Sequence, residues 1–239
     1  MPCPLPLSHL TEARNFSNIA DRGQLVPQPC RVFSEDLIYF FYGGIFYRTS
    51  SRPTNDADYL PVGFLFSPKV LDLIEKFYPV DTGLLHKFSS DPDFEDVREF
   101  RTLLSVLGGD RVVPCKMIHY IYENNERYLY GAAREHCKEL PAPFPTLYSF
   151  ISRDLTGRGI DQRWRRFEAH CVHPISLEDV IWIGYPDAFE EEFMVLCERL
   201  KARPRSFTYK SYPANVPSEW ASVLQHQAQK TIGEYITGR

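Results

Sequence analysis

Along this chain the pattern of hydrophobic and polar positions switches repeatedly between strand-like and helical spacing. The segment SHLTEARNFSNIADRGQL, starting at Ser8, reads as a short strand that turns into a helix, with Phe16, Ile19 and Ala20 on one face. Thr11 is the expected N-cap and Gly23 the expected stop. His9 and Thr11 then sit at a strand-to-helix junction, where unpaired backbone N–H groups and polar side chains are presented together. Residues 36–48, DLIYFFYGGIFYR, carry six Phe or Tyr around a glycine pair. Aromatics favour strands and paired glycines permit a bend, so this stretch predicts a buried strand, a bulge at Gly43-Gly44 and a second strand.

Beyond the polar loop TSSRPTNDAD, YLPVGFLF reads as a strand. Ser67-Pro68 supplies an N-cap and an N1 proline for a helix lined by Val70, Leu71, Ile74, Phe77 and Tyr78 and ended by Pro79. Asp91-Pro92 repeats that signal for a helix to about Leu107, closed by Gly108-Gly109. Residues 111–122 read as a strand, residues 123–138 as a helix, and LPAPFPT as a proline-rich connector. A strand over residues 180–185 precedes a helix capped by Asp187, with Phe189, Phe193, Leu196, Cys197 and Leu200 at helical spacing. RSFTYKSY is a further strand. Pro217 opens a C-terminal helix whose expected buried stripe is Trp220, Val223, Leu224, Gln227, Thr231 and Tyr235. Helices and strands in mixed order, without an internal repeat, predict an α+β domain.

Composition narrows this picture. A chain of 239 residues can bury a sizeable core without staples. A net charge of -4 argues against a protein built to coat nucleic acid, which needs a positive field. The six cysteines are scattered, with no CxxC pair and no His at ligand spacing, so free thiols are expected and no metal site. No basic, apolar leader and no run of about 18 apolar residues is present, which makes a soluble, cytoplasmic protein with no membrane partner the expectation.

Residues 161–172, DQRWRRFEAHCV, hold the candidate chemistry. Phe167, Ala169 and Cys171 alternate with Glu168 and His170, which places the carboxylate and the imidazole on one strand face. Such a pair can serve one cleft, the carboxylate holding a hydroxyl or stabilising a developing cation. The bland alternative is a solvated strand face. Basic side chains at Arg163, Arg165 and Arg166 with Trp164, and at Arg199, Lys201, Arg203 and Arg205, suit phosphates and stacked bases. They equally suit helix C-termini.

Three segments in this order resemble the ADP-ribosyltransferase superfamily, in particular its DarT-like and RNA 2'-phosphotransferase-like branch. They are the His-x-Thr strand end at His9 and Thr11 followed by NxxxIxxxGxL (Asn15, Ile19, Gly23, Leu25), the aromatic strand FFYGGIFYR, and the late acidic strand at Glu168. The resemblance covers roughly residues 7–50 and 160–210. It implies a single domain over 1–239 with a split, bent β-core of two small sheets, a helical insertion at about 67–140 and a C-terminal helix at about 217–236. Nicotinamide adenine dinucleotide (NAD) would be the substrate, bound between the sheets. His9 and Thr11, with Asn15, would hold the adenosine-side ribose or the nicotinamide amide. Tyr39, Tyr42 or Tyr47 would stack on the nicotinamide ring. Glu168 would hold the nicotinamide ribose hydroxyl and stabilise the oxocarbenium-like transition state; in an alternative register His170 takes that place. The family pattern carries an Arg soon after the FY pair to clamp the pyrophosphate, where this chain has Gly44, leaving Arg48 or Arg52 for the phosphates.

The resemblance implies transfer of ADP-ribose to a macromolecule, nucleic acid ahead of protein, in a toxin or phage-defence setting with a neutralising protein partner. Two other classes stay open: a non-catalytic module that binds NAD or ADP-ribose, and an interaction protein with no nucleotide ligand.

Overall fold

The computed structural model describes residues 4–30, 33–46, 49–83, 106–107 (backbone only), 112–134 and 165–237. In chain order the described elements are β1 (Leu7–Glu12), α1 (Phe16–Arg22), β2 (Gln24–Leu25), β3 (Gln28–Cys30), β4 (Glu35–Tyr42), β5 (Pro61–Phe66), β6 (Lys76–Tyr78) and β7 (Val106–Leu107). There follow α2 (Val112–Ile121), α3 (Asn125–Tyr130), β8 (Glu168–Cys171), β9 (Ile175–Ser176), β10 (Val180–Pro186), α4 (Glu190–Leu200), β11 (Arg205–Tyr209) and α5 (Pro217–Thr237). The class is α+β, as the mixed periodicity predicts. Among the described residues no helix is long and apolar enough to cross a membrane. Two compact units result: Met1–Pro4, Gln28–Tyr42 and Leu71–Val172 in one, Leu5–Pro27, Gly43–Val70 and His173–Arg239 in the other.

In the first unit β8 lies between two antiparallel neighbours. On the β4 side Tyr39 faces His170 and Phe41 faces Glu168. On the β6 side Lys76 faces His170 and Tyr78 faces Glu168. β7 pairs with β6, and β3 forms a hairpin with the start of β4. Side chains cover β8 on both faces, so all four of its residues are buried. An aromatic core of Tyr42, Tyr122, Tyr128 and Phe167 packs nearby, with ring centroids 4.8 Å apart for Tyr128–Phe167 and 5.1 Å for Tyr122–Tyr128. Each fully buried ring of this kind is worth on the order of 1.5–3 kcal/mol. The phenols satisfy their hydroxyls on main-chain carbonyls, Tyr128 on Tyr42 at 2.7 Å and Tyr122 on Arg165 at 2.9 Å. Burial pushes both phenols well above the usual range.

The second unit is built on β1 and β10 flanking β5, both antiparallel to it, with β11 parallel to β10. β2 and β9 form a separate two-stranded sheet. Gly63 of β5 and Gly184 of β10 are register partners, and Leu224 of α5 fills the notch they leave. A Cβ at Gly184 would lie 2.3 Å from the Leu224 Cδ2, so the helix reaches the sheet only because that side chain is missing.

Several local expectations change. Thr11 is a strand residue and not an N-cap; a 3₁₀ turn at Ala13–Asn15 intervenes, and α1 starts without a side-chain cap. Gly23 ends α1 in the left-handed conformation, φ 64°, as expected. Ser67 does cap a turn, its Oγ accepting from Lys69 N at 3.3 Å, but only a 3₁₀ segment Pro68–Leu73 follows. Phe77 and Tyr78 belong to a strand, because pairing with β8 buries them better than a helical face would. Where the sequence predicts a strand, Val112–Ile121 is helical: Cys115, Ile118 and Ile121 are buried at helical spacing, and burial outweighs the strand preference of its β-branched and aromatic residues.

The helix expected over 123–138 is shorter: α3 is capped by Asn124 and closed by Gly131, and residues 132–134 are not helical. Val106–Leu107 is a strand and not a helix end. Residues 91–105 and the proline-rich connector lie outside the described residues. Ile45 and Phe46 follow the Gly43 turn, φ 75°, without forming a second strand. Asp187 opens a 3₁₀ turn, and its carboxylate accepts from the Ser211 N–H and hydroxyl instead of capping α4. α5 buries Ala221, Leu224, Ala228 and Ile232, so the expected stripe is rotated and Tyr235 is exposed.

Candidate functional site

Glu168 and His170 occupy alternate positions of β8, which puts both side chains on one face. They are 3% and 2% exposed, which excludes a solvated strand face. A buried carboxylate persists only if its oxygens are paired. Here the His170 Nε2 meets Oε1 at 2.5 Å, the Thr82 hydroxyl donates to the same oxygen at 2.5 Å, and the Thr82 N–H donates to Oε2 at 3.1 Å. Since a carboxylate only accepts, the imidazole proton of this contact is on Nε2. Among the described residues the buried His170 Nδ1 has no hydrogen-bond partner. The imidazole is packed by the rings of Phe33, Tyr39 and Tyr78, with centroids 4.9, 4.7 and 4.7 Å away.

The other aromatic candidates divide. Tyr39 is half-buried, edge-on to His170, and its hydroxyl meets the Cys30 Sγ. Burial first, then the Cys30 contact, holds its phenol far above the usual range. Tyr42 is fully buried, its ring against Tyr128 and Phe167, so it presents no open face for stacking a ligand. Tyr47 and Arg48 lie outside the described residues, as do Arg163 and Trp164. Arg166 is buried: its guanidinium donates to the Tyr128 and Leu129 carbonyls at the end of α3, the structural use of a cation at a helix C-terminus. Arg205 pairs with Glu234, and Arg203 lies 5.6 Å over the Phe193 ring.

In the second unit Thr11 and Asn15 come together, the Asn15 Nδ2 donating to the Thr11 Oγ1 at 2.8 Å. His9, half-buried on the same strand face, has its ring 6.4 Å from Phe64. Thr11 lines a pocket of about 460 Å³ with Thr49, Ser50, Arg52, Thr54 and Tyr59. Among the described residues the buried Thr49 Oγ1 has no hydrogen-bond partner. Arg14 stands 5.3 Å over the Tyr59 ring and pairs with Glu12 at 2.5 Å. Glu12 lines the pocket too, so hydroxyls, one guanidinium and one carboxylate face it, which is chemistry for a polar ligand.

Gly44 has no room for a larger side chain. A Cβ there would lie 2.6 Å from the tip of the Phe46 ring, which is itself buried. The Gly44 carbonyl accepts from the Ser8 hydroxyl.

Thr82 is the residue that the sequence pattern did not single out. Its only signal is Asp81 after Pro79, a residue type that caps helices: Asp81 Oδ1 accepts from Gly83 N at 2.9 Å, and Thr82 and Gly83 have helical backbone. Among the described residues no group of three or more His, Cys, Asp or Glu is placed to hold a metal ion.

No protein-family model matches the chain, and no curated protein matches it. Among solved structures it is similar to DarT of Thermus sp. 2.9 in complex with ADP-ribosylated single-stranded DNA, at 10% identity and a TM-score of 0.47, over 92% of this chain and 98% of that one. The same protein in complex with carba-NAD+ aligns at 11% identity and TM-score 0.43, over 92% and 99%. Its complex with NAD+ aligns at 10% identity and TM-score 0.43, over 92% and 98%.

Proposed function

We propose that the chain is an NAD-dependent ADP-ribosyltransferase with Glu168 as its catalytic carboxylate. The observation that carries this reading is a buried Glu168 held by Thr82 and His170 on the strand where the family resemblance calls for the acid. In the reaction the bond between the ribose C1' and the nicotinamide nitrogen breaks, and its electron pair leaves with the nicotinamide. A nucleophile of the acceptor then bonds to C1' and loses its proton. The positive charge that grows on the ribose is what a fixed carboxylate stabilises, as in glycosidases. Of the two registers this assigns the acid to Glu168, with His170 as its hydrogen-bonded neighbour, because a neutral imidazole does not offset a cation. His9, Thr11 and Asn15, and Arg48 or Arg52 for the phosphates, keep only the roles that the resemblance implies. The acceptor is a macromolecule, nucleic acid ahead of protein; a toxin or defence role with a neutralising partner belongs to the same reading.

The test is nicotinamide release from NAD by the purified chain, with and without single-stranded DNA or RNA, beside Glu168→Ala and His170→Ala. Release that falls about a hundredfold or more in Glu168→Ala is the expected result. A second reading, a module that binds NAD without cleaving it, is favoured by Gly44, whose side-chain space is taken by Phe46. It predicts that NAD raises the melting temperature while no nicotinamide appears.

A further inference from the structure

We propose that Thr82 is a positioning residue that decides which oxygen of Glu168 is left for a substrate hydroxyl; this rests on the transferase reading above. Thr82 lies four residues beyond Tyr78, the register partner of Glu168, and the chain at Asp81-Thr82-Gly83, where Thr82 and Gly83 have helical backbone, places it over the carboxylate. It is 1% exposed and touches both carboxylate oxygens, the hydroxyl at Oε1 and the amide at Oε2. Two donors from one residue, one on each oxygen, fix the plane of the carboxylate as a bidentate partner does. Oε1 also receives His170 Nε2, which fills its two acceptor positions among the described residues. Among the described residues Oε2 receives only the Thr82 amide, which leaves it one position. A ribose hydroxyl is therefore accepted at Oε2, in the plane that Thr82 sets. His170 and Thr82 share Oε1, but among the described residues only Thr82 restrains both oxygens.

The experiment compares Thr82→Val, which keeps the amide and the shape but removes the hydroxyl, with Thr82→Ser, which keeps both donors. For nicotinamide release, Thr82→Val is expected to lower kcat about 10- to 100-fold with KM for NAD within about twofold, and Thr82→Ser to stay within about threefold of wild type. A Thr82→Val enzyme as fast as wild type, or a Thr82→Ser enzyme as slow as Thr82→Val, overturns the proposal. The contact itself is read without turnover, by melting the four chains of a Thr82→Val and Glu168→Leu double-mutant cycle. Thr82→Val is expected to lower the melting temperature by about 3–10 °C in the wild-type background and by much less beside Glu168→Leu. Equal shifts in both backgrounds remove Thr82 from Glu168 and overturn the proposal. A wild-type chain that releases no nicotinamide, yet shows the coupled melting shifts, refutes the transferase reading and leaves the contact standing.

Discussion

Replacing Glu168 by Gln separates the charge of this site from its shape. The glutamine amide has two orientations. With its oxygen toward the Thr82 hydroxyl and His170 Nε2, its NH₂ faces the Thr82 N–H, donor against donor. With the amide turned over, its oxygen accepts from Thr82 N, but its NH₂ then needs an acceptor at His170, which moves the imidazole proton to Nδ1. That atom is buried and has no partner among the described residues. Either way one buried donor is left unsatisfied, at a cost of about 1–3 kcal/mol. For a chain of this size that is a fall in melting temperature of roughly 3–10 °C. Activity is expected to fall further, about a hundredfold or more in nicotinamide release, because the amide carries no charge to set against the oxocarbenium-like ribose. The assays are thermal melting of the free protein and steady-state release of nicotinamide from NAD. Nicotinamide release within about threefold of wild type refutes the catalytic role. An unchanged melting temperature refutes the hydrogen-bond accounting at Glu168.

Gly44→Arg is expected to lower the melting temperature and not to raise nicotinamide release, since the Phe46 ring fills the space; a gain in release would show that the missing guanidinium alone limits the chain. Ile232→Ala is expected to cost about 2–5 kcal/mol in chemical denaturation, whereas Tyr235→Ala, on the exposed side of α5, changes stability by less than about 0.5 kcal/mol. The Ser211 N–H, and then its hydroxyl, holds the Asp187 carboxyl below its ordinary range. The stability from this depressed group is present above the ordinary carboxylate range and is lost as pH falls through the lower folded value. Asp187→Asn is thus expected to flatten the acid limb of melting temperature against pH, and an unchanged limb would contradict it.

How much of this was legible beforehand depended on whether a local rule or a distant partner set the outcome. Gly23 needed only its left-handed conformation to end α1, and Pro217 only its N-terminal preference to open α5. β5 and β10 were readable from apolar runs of strand length, and the alternation of residues 167–171 alone put Glu168 and His170 on one face. The remaining features needed partners that no periodicity contains. Phe77 and Tyr78 carry helical spacing but pair with β8, and α2 carries strand-forming residues but buries them at helical spacing. The rotated face of α5 follows from the Gly63–Gly184 notch that receives Leu224, a detail of two other strands. Thr82 is separated from Glu168 by 86 residues, and only folding brings its hydroxyl and amide onto the carboxylate. Local sequence determines backbone preference and side-chain phase, because those depend on neighbours within a few bonds. Which groups are buried, and which donor satisfies a buried charge, is decided by the tertiary structure, because desolvation is a property of everything packed around the atom.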